Sequence, residues 1–206
     1  MQITKYLTGP LQVNTYVVYD ENNKKGFIVD PGGYDERITD EINTKDIKLE
    51  YIVLTHGHAD HIGGVEQFKT DFPDAKIVAL ETEKEMLLNA SINSSQEIFR
   101  KSITIDVDVY VKDKESLKVG DMELHFIATP GHTKGGMCIN VDNVIFCGDT
   151  IFRFSIGRTD FYGGNFRTLI NSIKDRLFVF PDDTVLLPGH MGASTIGDEK
   201  RGNPFV

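Results

Sequence analysis

Thr55-His56-Gly57-His58-Ala59-Asp60-His61-Ile62-Gly63-Gly64 places four potential metal ligands within six residues, after the apolar run Tyr51-Ile52-Val53-Leu54 and before a helix-like segment. Such density is hard to read as packing. His56 and His58 alternate along an extended strand exit, so both imidazoles can point to one side and share an ion. Asp60 and His61 fall where the chain turns into a helix, and their side chains leave at another angle. They would reach a second ion beside the first, so two divalent ions are the natural reading. A carboxylate among imidazoles suits a hydrolytic or redox centre better than a closed structural site, which is normally rich in cysteine.

The same arrangement of apolar strand, tight turn and ligand type recurs three times outside this stretch. Phe126-Ile127-Ala128-Thr129-Pro130-Gly131 leads to His132, Val144-Ile145-Phe146-Cys147-Gly148 to Asp149, and Val185-Leu186-Leu187-Pro188-Gly189 to His190. Any one of these alone reads as an ordinary loop residue. Strand ends on one edge of a sheet sandwich can converge, however, and glycine or proline at the turn lets the backbone come close. Five of the six histidines are used this way; His125, inside a strand, is read as structural.

Working outward, strands are expected at 2–7, 12–19, 26–30 and 51–54, with a polar helix at 34–44 carrying Ile38 and Ile42. Val65, Phe68 and Phe72 mark a helix that Pro73 stops. A strand at 76–80 and a helix at 82–90 follow, and the polar segment 91–106 is a second helix or a mobile flap with no function assigned. Beyond it come strands at 117–119, 122–128, 137–141, 143–147 and 184–187. A helix at about 165–179 interrupts them, striped by Phe166, Leu169, Ile170, Ile173 and Leu177. The pattern reads as two mixed sheets covered outside by helices. The 206 residues, 40% of them hydrophobic, suffice for one domain with a sizeable core.

A net charge of −9 argues against nucleic-acid or acidic-membrane partners, which need basic surface. Two divalent ions with two carboxylates and one hydroxide would still leave about +1 at the site, enough to attract a small anion. The two cysteines, Cys138 and Cys147, lack CxxC spacing and read as small buried residues of a reduced cytoplasmic protein. Neither a signal peptide nor a transmembrane helix is expected.

His56-x-His58-x-Asp60-His61, Gly131-His132, Gly148-Asp149 and Pro188-Gly189-His190 together resemble the metallo-β-lactamase superfamily. Across nearly the whole chain the sequence is similar to the short form of the glyoxalase II, or hydroxyacylglutathione hydrolase, branch. The end, Ser194-Thr195-Ile196-Gly197-Asp198-Glu199-Lys200 followed by Asn203-Pro204-Phe205, shares that likeness. The resemblance implies a single α/β domain over 1–206, a four-layer αββα sandwich with a dinuclear site at one edge and without the C-terminal helical domain of long glyoxalase II. It implies that His56, His58 and His132 hold one metal, that Asp60, His61 and His190 hold the other, and that Asp149 bridges them. Zinc is expected, with iron or manganese compatible with the same ligand types.

The implied activity is hydrolysis of a thioester, S-lactoylglutathione or a related hydroxyacyl thioester, by a metal-bridging hydroxide. Asp60 is the catalytic candidate, orienting that hydroxide. A thiol leaves with little protonation because its pKa is only about 8.5, which fits the lack of a separate general acid. Arg153 and Arg158 are candidates for substrate carboxylates, Tyr162 for packing on the thiol moiety, and Lys134 for a further contact. Arg158 can equally pair with Asp160 to brace its loop. The alternatives are a mononuclear iron persulfide dioxygenase, similar in Gly157-Arg158-Thr159-Asp160, a lactonase or other ester hydrolase on the same ligands, and a noncatalytic metal-binding module. The Pro-Gly-His form at 188–190 favours the dinuclear hydrolase.

Overall fold

In the computed structural model, which describes residues 1–206, the first half of the chain builds one six-stranded sheet. It opens as an antiparallel meander of β1 (Gln2–Thr8), β2 (Val13–Tyr19) and β3 (Lys25–Val29). The chain then crosses over through helix α1 (Glu36–Thr44) and returns parallel to β3 as β4 (Lys48–Val53). Asp35 starts α1 by accepting the Arg37 amide, and Ile38 and Ile42 bury its inner face. Helices α2 (Ala59–Ile62) and α3 (Val65–Asp71) carry the next crossover to β5 (Lys76–Leu80). A 3₁₀ turn at Glu81–Glu83 and helices α4 (Lys84–Leu87) and α5 (Ser95–Phe99) precede β6 (Val109–Val111), parallel to β5.

The second half forms another six-stranded sheet. Strands β7 (Ser116–Val119), β8 (Met122–Ala128), β9 (Met137–Val141) and β10 (Val144–Gly148) form an antiparallel meander. A separate hairpin, β11 (Ile151–Phe152) with β12 (Ser155–Ile156), leads to α6 (Phe166–Ser172), continued by a π turn at Ile173–Leu177. Strand β13 (Val185–Pro188) then lies parallel to β10, followed by β14 (Ser194–Thr195) and helix α7 (Ile196–Gly202).

Burial separates three apolar layers, and their order is that of an αββα sandwich. Tyr16, Val18, Phe27, Val29 and Val53 face Leu124, Phe126, Ile139 and Phe146 between the sheets. Phe146 meets Tyr16 and Phe27 edge-on, with centroids 5.3 and 6.1 Å away. The alternate residues Val17, Ile28 and Ile52 pack outward under α1 and α3, beside Ile38, Ile42 and Phe68. Strands β2 and β3 therefore bury both faces, and Tyr16-Val17-Val18-Tyr19 and Phe27-Ile28-Val29 are unbroken apolar runs within them. Ile145 and Leu186 pack under α6 and α7, against Leu169, Ile173 and Ile196.

The two mixed sheets and the helices outside them agree with the sequence expectation. The differences lie in short elements: β6, the β11–β12 hairpin, β14 and α7 carry too few residues to show a period. The helix expected at 82–90 is only the 3₁₀ turn and α4. Phe166, expected in the stripe of α6, is 52% exposed at the helix start while Leu169, Ile173 and Leu177 are buried. His125 lies on the outward face of β8 with its side chain about half exposed, and plays no part in the core. Both cysteines are free and buried. No helix is long and apolar enough to cross a membrane.

Candidate metal centre

Each of the four turns sits at the C-terminal end of its strand, and the two sheets bring those ends to one edge. β4 delivers His56, His58, Asp60 and His61; β8 delivers His132; the parallel pair β10 and β13 delivers Asp149 and His190 side by side. Glycines make this convergence sterically possible. A Cβ on Gly189 would lie 2.5 Å from both Asp149 Oδ1 and His61 Cε1, and Gly148 takes φ +46° where a Cβ would run into the Thr55 side chain.

Three groups of ligand atoms lie close enough to hold an ion: His56, His58 and His132; Asp60, His61 and His190; and Asp30, His56 and His61, the last sharing its histidines with the other two. In the first, His58 Nδ1 is 2.9 Å from His132 Nε2. In the second, Asp60 Oδ2 lies 3.3 Å from His190 Nε2 and 3.7 Å from His61 Nε2. Asp149 reaches both: Oδ1 is 3.3 Å from His61 Nε2, and Oδ2 is 3.6 Å from His132 Nε2 and 3.7 Å from His190 Nε2. All seven metal-ligand candidates therefore meet at one place.

The donor set fits metal ions on a further ground. His56 Nε2, His58 Nε2, His61 Nε2 and Asp149 Oδ1 are buried without a hydrogen-bond partner. An orphaned buried polar atom costs about 1–3 kcal/mol, and four in one cluster ask for a cation. Outer contacts leave the Nε2 lone pairs facing inward. His61 Nδ1 lies 2.9 Å from Asp30 Oδ2, His132 Nδ1 lies 2.6 Å from the Arg158 carbonyl, and His56 Nδ1 lies 3.1 Å from Thr55 Oγ1.

The electrostatics divide the histidines. Burial, reinforced by the neighbouring imidazoles, pushes His58 down to about 3 and His56 well below the usual histidine range, so both stay neutral lone-pair donors. Burial opposes charge on His61 too, but Asp149, Asp60 and Asp30 outweigh it and hold its imidazolium well above that range. Asp149 and Asp60 are pulled the other way: His61 and other imidazoles overcome the effect of burial and keep both ionised. A divalent cation would meet this same negative field.

Asp30 escaped the sequence reading, in which Asp30-Pro31-Gly32-Gly33 merely ends a strand. It accepts the Thr55 amide at 2.7 Å, the Thr55 hydroxyl at 2.6 Å and His61 Nδ1, and so locks the start of the histidine stretch. Nothing close to Asp30 in the sequence signals this role, which depends on β3 lying beside β4. The segment 91–106, to which the sequence assigned no function, also contributes. Ser94 and Ile98 wall the cavity, the Asn93 carbonyl accepts the Ala59 amide, and Phe99 packs against Gly63.

That cavity, about 220 Å³, opens over the ligands between Leu11, Ile98, Phe152, Phe161 and Arg158. Asp60 lies on its floor, as does His190, the ligand most open to it. Arg158 alone of the four substrate-contact candidates lines the cavity. Its guanidinium binds Asp160 in two-point fashion at 2.9 and 2.6 Å and stacks 4.1 Å from the Phe161 centroid. Arg153 leans over Phe154 instead, outside the cavity wall. Lys134 and Tyr162 meet each other and Glu85 beside a separate shallow depression, because the acidic Glu85 attracts both polar tips.

The sequence profile of the metallo-beta-lactamase superfamily matches residues 8–190. A hydroxyacylglutathione hydrolase, GloC, of Haemophilus influenzae is 36% identical over 203 residues, covering 95% of this chain and 93% of its own length. The crystal structure of the BLEG-1 B3 metallo-beta-lactamase superposes with a TM-score of 0.92 at 32% identity, covering 99% of both chains. That of TTHA1623 in a di-iron-bound form gives 0.85 at 27% identity, covering 98% of this chain and all of the other.

Proposed function

The chain belongs to the metallo-beta-lactamase superfamily, and from that membership we propose that it is a dinuclear metallohydrolase of thioesters acting on S-lactoylglutathione or a related hydroxyacyl thioester. The observation that carries the hydrolase reading is the pair of three-ligand groups with Asp149 between them and buried nitrogens lacking partners. The choice of thioester is supported by the likeness to GloC over almost the full length of both chains.

His56, His58 and His132 would hold one ion, and Asp60, His61 and His190 the other, with Asp149 shared. Such a pair supplies a water activated near neutral pH and a Lewis acid for the carbonyl. The protein's own groups do the rest. Asp60, kept ionised on the cavity floor, can accept a proton from that water and orient it. Phe161 packs edge-on against His58, centroids 5.2 Å apart, and with Phe152, Ile98 and Leu11 offers apolar walls to an acyl group. No cysteine competes as nucleophile, since burial pushes the Cys138 thiol up to about 11 and the Cys147 thiol higher than usual.

The test is metal content per chain together with S-lactoylglutathione hydrolysis followed by released thiol. About two ions per chain and turnover that chelation abolishes are expected. A single iron with no thiol release and oxygen uptake on glutathione persulfide would overturn the reading in favour of a dioxygenase. Turnover of a β-lactam but of no thioester would overturn it in favour of the activity named for BLEG-1.

Arg158 serves as the cavity's cation. Arg158→Ala should raise KM for an anionic thioester by about tenfold with kcat little changed, the signature of lost ground-state binding. Steady-state kinetics on Asp160→Ala separates the two roles. If Arg158 only braces its loop, that variant should reproduce the Arg158→Ala defect; if Arg158 binds substrate, freeing it from Asp160 should leave KM unchanged or lower.

A further inference from the structure

Glu83, at the end of the 3₁₀ turn after β5, is a buried carboxylate outside both ligand groups, only 2% exposed. Its Oε1 accepts the Gly57 amide at 2.8 Å. Its Oε2 accepts the Gly135 amide at 2.8 Å and the Thr133 hydroxyl at 3.1 Å. Gly57 stands between His56 and His58, while Thr133 and Gly135 follow His132. One oxygen thus holds the ligand loop of the first sheet and the other holds the ligand loop of the second.

The local backbone is shaped for this contact. A Cβ on Gly135 would fall 2.2 Å from the Glu83 amide nitrogen, so only glycine lets the loop after His132 lie against the turn. No cation pairs with Glu83; nearby Lys134 is engaged by Glu85 and Tyr162. Three donors from two loops are its entire compensation, and burial still moves the carboxyl up to about 6. Elsewhere at this seam the Met137 amide bonds the Thr55 carbonyl at 2.9 Å, on the strand side of both histidine loops. Glu83 closes the other side.

We propose that Glu83 is a positioning residue: by clamping the His56–His58 loop to the His132 loop it sets the geometry, and hence the affinity, of the first metal site. The proposal rests on the metal-binding reading above. Glu83 touches no ion in this account, and the second group, Asp60, His61 and His190, receives none of its bonds.

The experiment is a two-site titration of the metal-stripped full-length protein with Co²⁺, followed by visible absorption and heat, for wild type, Glu83→Gln and Thr133→Val. An amide can accept on one side only and must present its NH₂ to the donors of the other loop, so one loop is released. Glu83→Gln should weaken one site about 10- to 100-fold and leave the other within about twofold. Thr133→Val, which removes one of three bonds in an isosteric frame, should weaken the same site about fivefold. It also keeps the test decisive if Glu83→Gln does not fold. Equal weakening of both sites, or a fall in thermal midpoint with unchanged affinities, would overturn the proposal in favour of a general structural brace. Two intact sites in both variants would overturn it alone; wild type that binds no Co²⁺ would overturn the metal reading as well.

Discussion

Asp149→Ala is expected to leave a folded protein that retains fewer than two ions per chain and turns over thioester at least about a thousandfold more slowly, the scale lost with a key electrostatic group. The reason is its position. Asp149 leaves β10 at the parallel junction with β13 and turns its two oxygens toward imidazoles of both ligand groups. No other side chain reaches both in this way, so in the proposed dinuclear site its loss would remove a ligand from each ion. The carboxyl stays ionised because His61 and its neighbours outweigh the effect of burial. Elemental analysis beside a thiol-release assay checks this; an Asp149→Ala enzyme with two ions and full turnover would refute the bridging role.

The second large effect belongs to a residue that ligates nothing in the two proposed sites. Asp30→Ala should destabilise the protein by about 3–5 kcal/mol, the usual result of removing one partner from a buried charged network. For a chain of this length that lowers the thermal midpoint by about 10 °C. Removing the carboxylate strands the Thr55 amide, the Thr55 hydroxyl and His61 Nδ1 in the interior. Asp30 also sits at φ +48°, a left-handed conformation that Asp and Asn tolerate better than Ala. Asp30→Asn avoids that strain and keeps one acceptor, so it should lose clearly less stability while still weakening metal binding about 10- to 100-fold. Thermal melts with metal titrations of the two variants separate the contributions. Equal stability of Asp30→Ala and wild type would show that the network around Thr55 is not stabilising.

How legible these roles were depends on how far apart their partners lie. The histidine stretch was readable because four ligands occupy one strand exit, and its three echoes were readable because each repeats strand, tight turn and ligand within a few residues. Two mixed sheets covered outside by helices followed from the same local patterns, with α1 and α6 striped, while the αββα order came from the family resemblance. The Arg158–Asp160 pair, two residues apart, was equally accessible.

Asp30 and Glu83 were not. Asp30 meets Thr55 only because β3 and β4 pair in parallel, with Val29 opposite Val53. Glu83 meets Gly135 across 52 residues and two sheets. Ile98 and Phe161 become facing walls through packing of loops that carry no periodicity of their own. Residue chemistry and short-range spacing wrote the ligand inventory and the layers into the chain. The register of parallel strands and the packing of the two sheets chose which distant carboxylates hold those ligands in place, because such contacts arise only after loop-closing entropy has been overcome by burial elsewhere in the fold.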